Sequence, residues 1–286
     1  MTAVLNEVIN GYLFLNDHLV DPRTKDFFLI ETLWRLPLLA IIYVYSTCFL
    51  LPKFMEKREP YKLDRILQIY NVLQIIFNMY LFYLTLNLAW LRGYSFNCEP
   101  VDPSYTSNAI QIARGVWCYF MLKVVDLLNT FFFVLRKKQS QVSFLHVYHH
   151  FGMVMITWVG TKYYPGGHCT FIGVINTFVH MIMYTHYLLS SMKIDTKPWK
   201  KYITQLQILQ FFILAYHISQ LLWTDCGYPR WIALVLLPQY VFMLVLFVEF
   251  YYNAYSKKKP TSAVATTKME TDGIPANISN GKLKEQ

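Results

Sequence analysis

The sequence predicts an all-α polytopic membrane protein with seven transmembrane helices. Two observations carry this. Hydrophobic residues make up 55% of the chain and charged residues only 15%. The apolar residues also fall in long blocks, separated by loops alternately rich and poor in Lys and Arg. The hydrocarbon layer is about 30 Å thick, so a crossing helix needs roughly 20 mostly apolar residues. Lipid leaves backbone polar groups no partners outside helices and closed barrels.

The first block, residues 33–51, follows a stretch, 1–32, that lacks a basic start, a short apolar core and a small-residue cleavage site. It is therefore expected to stay as an anchor. The second, 66–91, comes after a loop bearing Lys53, Lys57, Arg58, Lys62 and Arg65. The third, 111–135, and the fourth, 142–162, flank Arg136, Lys137 and Lys138. Between the fifth, 168–190, and the sixth, 204–223, stand Lys193, Lys197, Lys200 and Lys201. The seventh, 231–253, runs into a tail with Lys257, Lys258, Lys259, Lys268, Lys282 and Lys284. The other connections carry one or two basic residues each, so the positive-inside rule puts the basic loops and carboxyl terminus in the cytosol and the amino terminus outside. Three regions result: a non-cytosolic segment, 1–32; a seven-helix transmembrane domain, 33–255; and a polar tail, 256–286, read as disordered.

This placement accounts for the net charge of +9 without a nucleic-acid partner. Lys282 and Lys284 match the spacing of the dilysine retrieval signal of endoplasmic reticulum membrane proteins, which acts on a cytosolic tail. Asn277 heads an Asn-Ile-Ser glycosylation sequence that a cytosolic tail would leave unused. Of five cysteines, Cys48 and Cys118 fall inside apolar blocks. Cys98 and Cys226 fall in non-cytosolic loops, where disulfides persist, and are expected to pair; Cys169, at the same face, is the alternative partner.

A polar group within a span costs a few kcal/mol on insertion scales and marks a functional-site candidate. Block three carries Lys123, Asp126, Asn129 and Thr130 along one helix face. Block four opens with His146, His149 and His150, which share a face. Asn176, His180, Tyr184 and Tyr187 keep helical spacing in block five, with an interfacial aromatic belt the plainer role for the two tyrosines. In block six Thr204, Gln207, Gln210 and His217 form one stripe. At about 1.5 Å per residue from the cytosolic loops, Asn129 and His149 lie roughly 10 Å deep, Gln210 roughly 13 Å and His180 roughly 15 Å. Isolated interhelical contacts have no reason to share a depth, so a common polar cavity open to the cytosol is expected. Beyond it the same helices are almost wholly apolar, which suits lipid contact or a chamber for a long apolar chain.

Two chemistries use clustered imidazoles. Membrane desaturases and hydroxylases hold two irons with several histidine boxes, one of the His-x-x-His-His form. Only one such box is present among the eight histidines. The other chemistry is imidazole as nucleophile or base, with Asp126 fixing a tautomer and Asn129, Gln207 and Gln210 donating to a developing oxyanion or enolate. A non-enzymatic transporter or receptor would use the same stripes as a ligand pocket. An extracellular signal, however, would need an outward opening.

The stretches LRKKQSQVSFLHVYHH, NTFVHMIMYTHY and TQLQILQ, in this order and spacing, resemble the very-long-chain fatty acid elongase family over residues 25–255. The resemblance implies a seven-helix catalytic domain in the endoplasmic reticulum membrane, six of its helices enclosing a tunnel. It implies condensation of a long-chain acyl-CoA with malonyl-CoA to a 3-oxoacyl-CoA, with loss of CO2 and no metal or redox cofactor. Members are often dimers, and other enzymes of the elongation cycle are implied partners. By position, the catalytic histidines are His146, His149, His150 and His180, with His149 expected to carry an acyl-imidazole, His180 facing it, and His146 and His150 orienting it or exchanging protons. Asn176, Met183 and Tyr184 belong to the His180 motif, and Thr204, Gln207 and Gln210 to the next. The chain departs from the family where Lys-x-x-Glu-x-x-Asp-Thr becomes Lys123, Asp126, Asn129 and Thr130, and where His186 replaces a tyrosine. Asp126 reaches about one carbon less far, and Asn129 orients or donates but cannot act as a base.

Overall fold

In a computed structural model the chain is described over residues 2–256, all helix and connecting turns with no strand among them. Lys282, Lys284 and Asn277 lie outside the described residues. Helix α1 (Thr2–Leu13) and a π-helical turn (Phe14–His18) occupy the amino-terminal segment, which the hydropathy blocks do not mark. The first long rod is α2 (Arg35–Tyr45), a π-helical turn (Ser46–Leu50) and α3 (Leu51–Met55). Then come α4 (Asp64–Leu88) and a rod made of α5 (Ser107–Asp126) and α6 (Leu128–Leu135), followed by α7 (Phe144–Tyr163), α8 (Thr170–Ser191), α9 (Trp199–Ser219) and α10 (Trp231–Tyr251).

These seven long stretches coincide with the seven apolar blocks. Five of them are long and apolar enough to cross a membrane, which makes this a multi-pass membrane protein. The other two, α7 and α9, have the length but carry more polarity. The first holds three histidines and Lys162, and the second Lys200, Lys201, Gln205, Gln207 and Gln210.

Local chemistry sets the ends. Thr106 caps α5 by accepting from the Ala109 N–H, and Ser143 caps α7 by accepting from the His146 N–H, each contributing about 1 kcal/mol.

The strongest pairings are α4 with α8, α9 with α10 and α5 with α7, joined by α4 with α5 and α8 with α9. Tyr148 donates to Gln239 Oε1 at 2.6 Å, bringing α7 back onto α10. Leu36 and Tyr43 of α2 pack on Phe120, Val154 and Trp158 from outside this arrangement.

The end remote from the basic loops is tied three ways. Cys98 and Cys226 form a disulfide with a Cα–Cα distance of 5.9 Å, while Cys169 is free. Gly167, at φ +62°, lets the loop before α5 approach so closely that a Cβ there would sit 2.8 Å from the Glu99 and Pro100 carbonyl oxygens. The rings of His168 and His217 stack 3.7 Å apart, and each Nε2 bonds the other residue's carbonyl, at 2.9 and 3.1 Å. His217 is thus not part of the Gln210 group that its spacing suggests. It stands two turns further along α9, about 10 Å away.

The amino-terminal segment closes over the same end. Lys162, fully buried, donates to the Ile30 carbonyl at 2.6 Å and to Asn16 Oδ1 at 3.0 Å. Thr24 donates to the Thr161 carbonyl at 2.8 Å and Trp158 to the Leu29 carbonyl at 2.8 Å.

Candidate active site

A single buried carboxylate organises the polar interior. Asp126, 1% exposed, is the last residue of α5. Its Oδ2 accepts from Lys123 Nζ at 3.2 Å, and its Oδ1 accepts from Tyr184 Oη at 2.8 Å and Gln74 Nε2 at 2.9 Å. His180 Nδ1 lies 3.8 Å from Oδ2 and 3.5 Å from Lys123 Nζ. Lys123, 2% exposed, also stands 4.9 Å from the centre of the Tyr119 ring. One cation and one anion therefore share a buried pocket, with neutral donors on the carboxylate and a ring nitrogen of His180 beside the ammonium, the kind of satisfaction a buried ion pair requires.

Asn129 donates to Tyr184 Oη at 2.9 Å, so the asparagine acts on the tyrosine rather than directly on the carboxylate. Asn176 accepts from Tyr119 at 2.8 Å. Tyr184 is completely buried at the centre of the network, a position incompatible with an interfacial belt, whereas Tyr187 is 41% exposed and outside it. The stripe on α8 therefore breaks between these two residues.

The histidine box occupies the start of α7, half-buried. His146 Nε2 bonds Thr130 Oγ1 at 3.0 Å, and the same oxygen meets Tyr43 Oη at 2.7 Å. The ring of His150 lies 4.2 Å from that of His146 and 5.7 Å from that of His149. His149 turns edge-on to Phe211 of α9 at 6.1 Å. The rod of α5 and α6 is the shared rail, since Thr130, which takes His146, follows Asp126 by one turn. On α9, Gln207 donates to Met183 Sδ at 3.7 Å. Gln210 is 4% exposed, and its Oε1 has no partner among the described residues. An unsatisfied buried amide is costly, and it leaves an acceptor available to a bound group. Among the described residues, no three His, Cys, Asp or Glu side chains are placed to hold a metal ion.

Sequence reasoning missed the contribution of α4. Tyr70, Gln74 and Asn78 are buried on one face of it. Gln74 donates to both Asp126 and Tyr70 Oη, the latter at 3.0 Å, and its Oε1 accepts from Asn78 at 3.3 Å. The signal was present: Asn71, Gln74 and Asn78 are three amides within two turns of an apolar block.

Beyond Tyr119 the interior turns apolar. A cavity of about 530 Å³ extends there, lined by Tyr119, Met153, Ile156, Ile172 and Leu236 among others, and reached by Leu15 and Leu19 of the amino-terminal segment. Its size falls within the range of small-molecule pockets. Met153 follows His149 by one turn, and Tyr119 precedes Lys123 by one, so the polar cluster and the cavity adjoin.

The sequence that builds this site has counterparts among known proteins. The model of the GNS1/SUR4 family, called ELO, matches residues 28–263. The chain belongs to the ELO family. Very long chain fatty acid elongase 7 of Drosophila melanogaster is 40% identical over 286 residues, covering 96% of this chain and 87% of that protein. Very long chain fatty acid elongase 7 of Rattus norvegicus is 38% identical over 271 residues, covering 93% and 92%. Very long chain fatty acid elongase 4 of Mus musculus is 35% identical over 287 residues, covering 99% and 90%. In this ELO chain the Asp126 and Asn129 departures are built into a closed network: Gln74 and Tyr184 reach the shortened carboxylate, and Asn129 holds Tyr184.

Proposed function

We propose that this ELO protein is an acyltransferase that condenses a long-chain acyl-CoA with malonyl-CoA, giving a 3-oxoacyl-CoA, CO2 and free CoA. The observation that carries this reading is the junction of the imidazole and carboxylate cluster with the apolar cavity. A cytosol-facing polar site above an apolar chamber suits an amphiphile whose thioester stays at the boundary.

In the proposed sequence, a His149 ring nitrogen attacks the thioester carbonyl and CoA leaves as a thiolate, which takes up a proton. Malonyl-CoA then loses CO2, and the enolate electrons attack the acyl-imidazole carbon, freeing His149. His180, held by Lys123 and Asp126, stands ready to donate to the enolate oxygen. Asn129, Asn176 and Tyr184 keep it in place, His146 and His150 orient His149, and Gln207 and Gln210 contact the thioester side. The reading needs no metal or redox cofactor. It includes seven crossings, with α7 and α9 tolerated because the histidines of α7 and Gln207 and Gln210 of α9 turn inward, while Lys200 and Lys201 stand at the very start of α9. It also includes six helices around an acyl tunnel, residence in the endoplasmic reticulum with a cytosolic carboxyl terminus, a homodimer, and contact with the other enzymes of the elongation cycle.

Incubation of the purified full chain with radiolabelled malonyl-CoA and a C16 to C20 acyl-CoA series tests the reaction. Labelled 3-oxo product is expected, and its absence at every length rejects the reading. His149→Ala should abolish both product and the trapping of radiolabelled acyl group on the protein, while the melting temperature in detergent stays close to that of the native chain. Full activity in that variant would move the nucleophile elsewhere.

A further inference from the structure

Gly160 of α7 and Gly173 of α8 both line the apolar cavity. Each lies within a helix, where glycine is the poorest former after proline, and neither takes a left-handed φ that would demand it. Close approach of two helices is the common reason for glycine in a membrane bundle. It does not apply here, because a Cβ built on Gly160 or Gly173 meets no neighbouring atom within 4 Å. Gly115, on the same cavity, is the contrast: a Cβ there meets Leu84 Cδ2 at 3.1 Å, so that glycine serves packing. What the two missing side chains leave behind is space inside the cavity.

We propose that Gly173 and Gly160 set how long an acyl chain the cavity admits, both standing at one level near its end remote from the histidine box. The inference rests on the reading of the cavity as an acyl chamber. Gly160 follows His149 by eleven residues, about 16 Å along α7. It stands three residues before the end of α7, and Gly173 three after the start of α8, on either side of the turn that joins them. An extended chain advances about 1.2 Å per bond. That level corresponds to roughly thirteen bonds from the reacting carbon. A side chain at either position shuts out the methylenes beyond it, and each methylene kept out of the cavity forfeits about a fourfold factor in binding.

The test compares the purified full-length native chain with Gly173→Leu and Gly160→Leu. Even-numbered acyl-CoAs from eight to twenty carbons are supplied, and radiolabelled product is resolved by length. Gly173→Leu should lower the ratio of rates for eighteen against ten carbons by tenfold or more. Gly160→Leu should spare the ten- and twelve-carbon substrates and lose the longest. Length profiles that superimpose on the native one, or widely separated cut-offs in the two variants, would overturn the proposal.

Thermal stabilisation by each acyl-CoA is measured alongside, because it reads chain length without turnover. If the native chain makes no product, the condensation reading fails, while loss of long-chain stabilisation in the leucine variants still decides the glycines. Should the leucine variants not fold, Gly173→Ala and Gly160→Ala replace them. Alanine favours the helix and meets open space, so melting should not fall and the profile should move about two carbons shorter. An unmoved profile in the alanine variants counts against the proposal.

Discussion

Lys123→Met offers a direct measure of what the buried ion pair does. The side chains of Lys123 and Asp126 are each 2% exposed and lie 3.2 Å apart. Their attraction at an effective dielectric of 20 is about 5 kcal/mol, most of it offset by the cost of taking both charges out of water. Methionine matches the lysine stem in volume but leaves the Asp126 carboxylate without its cation. Removing one partner of such a pair costs about 3–5 kcal/mol, and the retained bonds from Gln74 and Tyr184 argue for the lower end. At roughly 2–4 °C per kcal/mol for a chain of this size, melting should fall by about 6–12 °C. The double variant Lys123→Met, Asp126→Asn removes both charges and should recover to within about 1 kcal/mol of the native protein, since a buried pair is often replaceable by neutral groups. Thermal unfolding of the purified full chain in one detergent reads all three proteins. Equal melting of the single and double variants, or a single variant indistinguishable from native, would refute the reasoning.

Further outcomes follow from other contacts. Gln74→Leu deletes a charge-assisted donor to Asp126, so kcat should drop tenfold or more with KM within about twofold; steady-state kinetics with an equal loss in both constants would assign the residue to binding instead. Cys98→Ser, Cys226→Ser and the double variant should lose the same stability, up to about 4–5 kcal/mol for a bridge spanning 128 residues, and additive losses in denaturant titrations would contradict the pairing. Lys162→Met leaves the Ile30 carbonyl without its buried donor, at a cost of about 1–3 kcal/mol. Tryptic cleavage at Arg23 or Lys25 should then accelerate about tenfold, and an unchanged rate would show that Lys162 does not hold the segment down.

Much of the architecture is written locally. A crossing helix must be apolar over its full length, and a polar residue in lipid is costly wherever its partner comes from. The blocks, the histidine box and the stripe through Lys123 and Asp126 were therefore readable one segment at a time. The aromatic and amide residues were harder. Tyr184 and Tyr187 share a helix and a composition, yet one is the donor at the centre of the site and the other faces outward. Gln210 and His217 share a helical face, but the depth separating them gives each a different neighbour.

Tertiary structure decided which stripes meet. Gln74 and Asn78 became part of the site only when α4 packed against α5 and α8. The cavity exists because α4, α5, α7, α8 and α10 leave space between them, and the amino-terminal segment covers its far end through backbone carbonyls that no side-chain pattern announces. Hydropathy and helical spacing are properties of one segment in its solvent. Partners, bore and lid are properties of several segments at once, and their energies arise only when those segments come into contact.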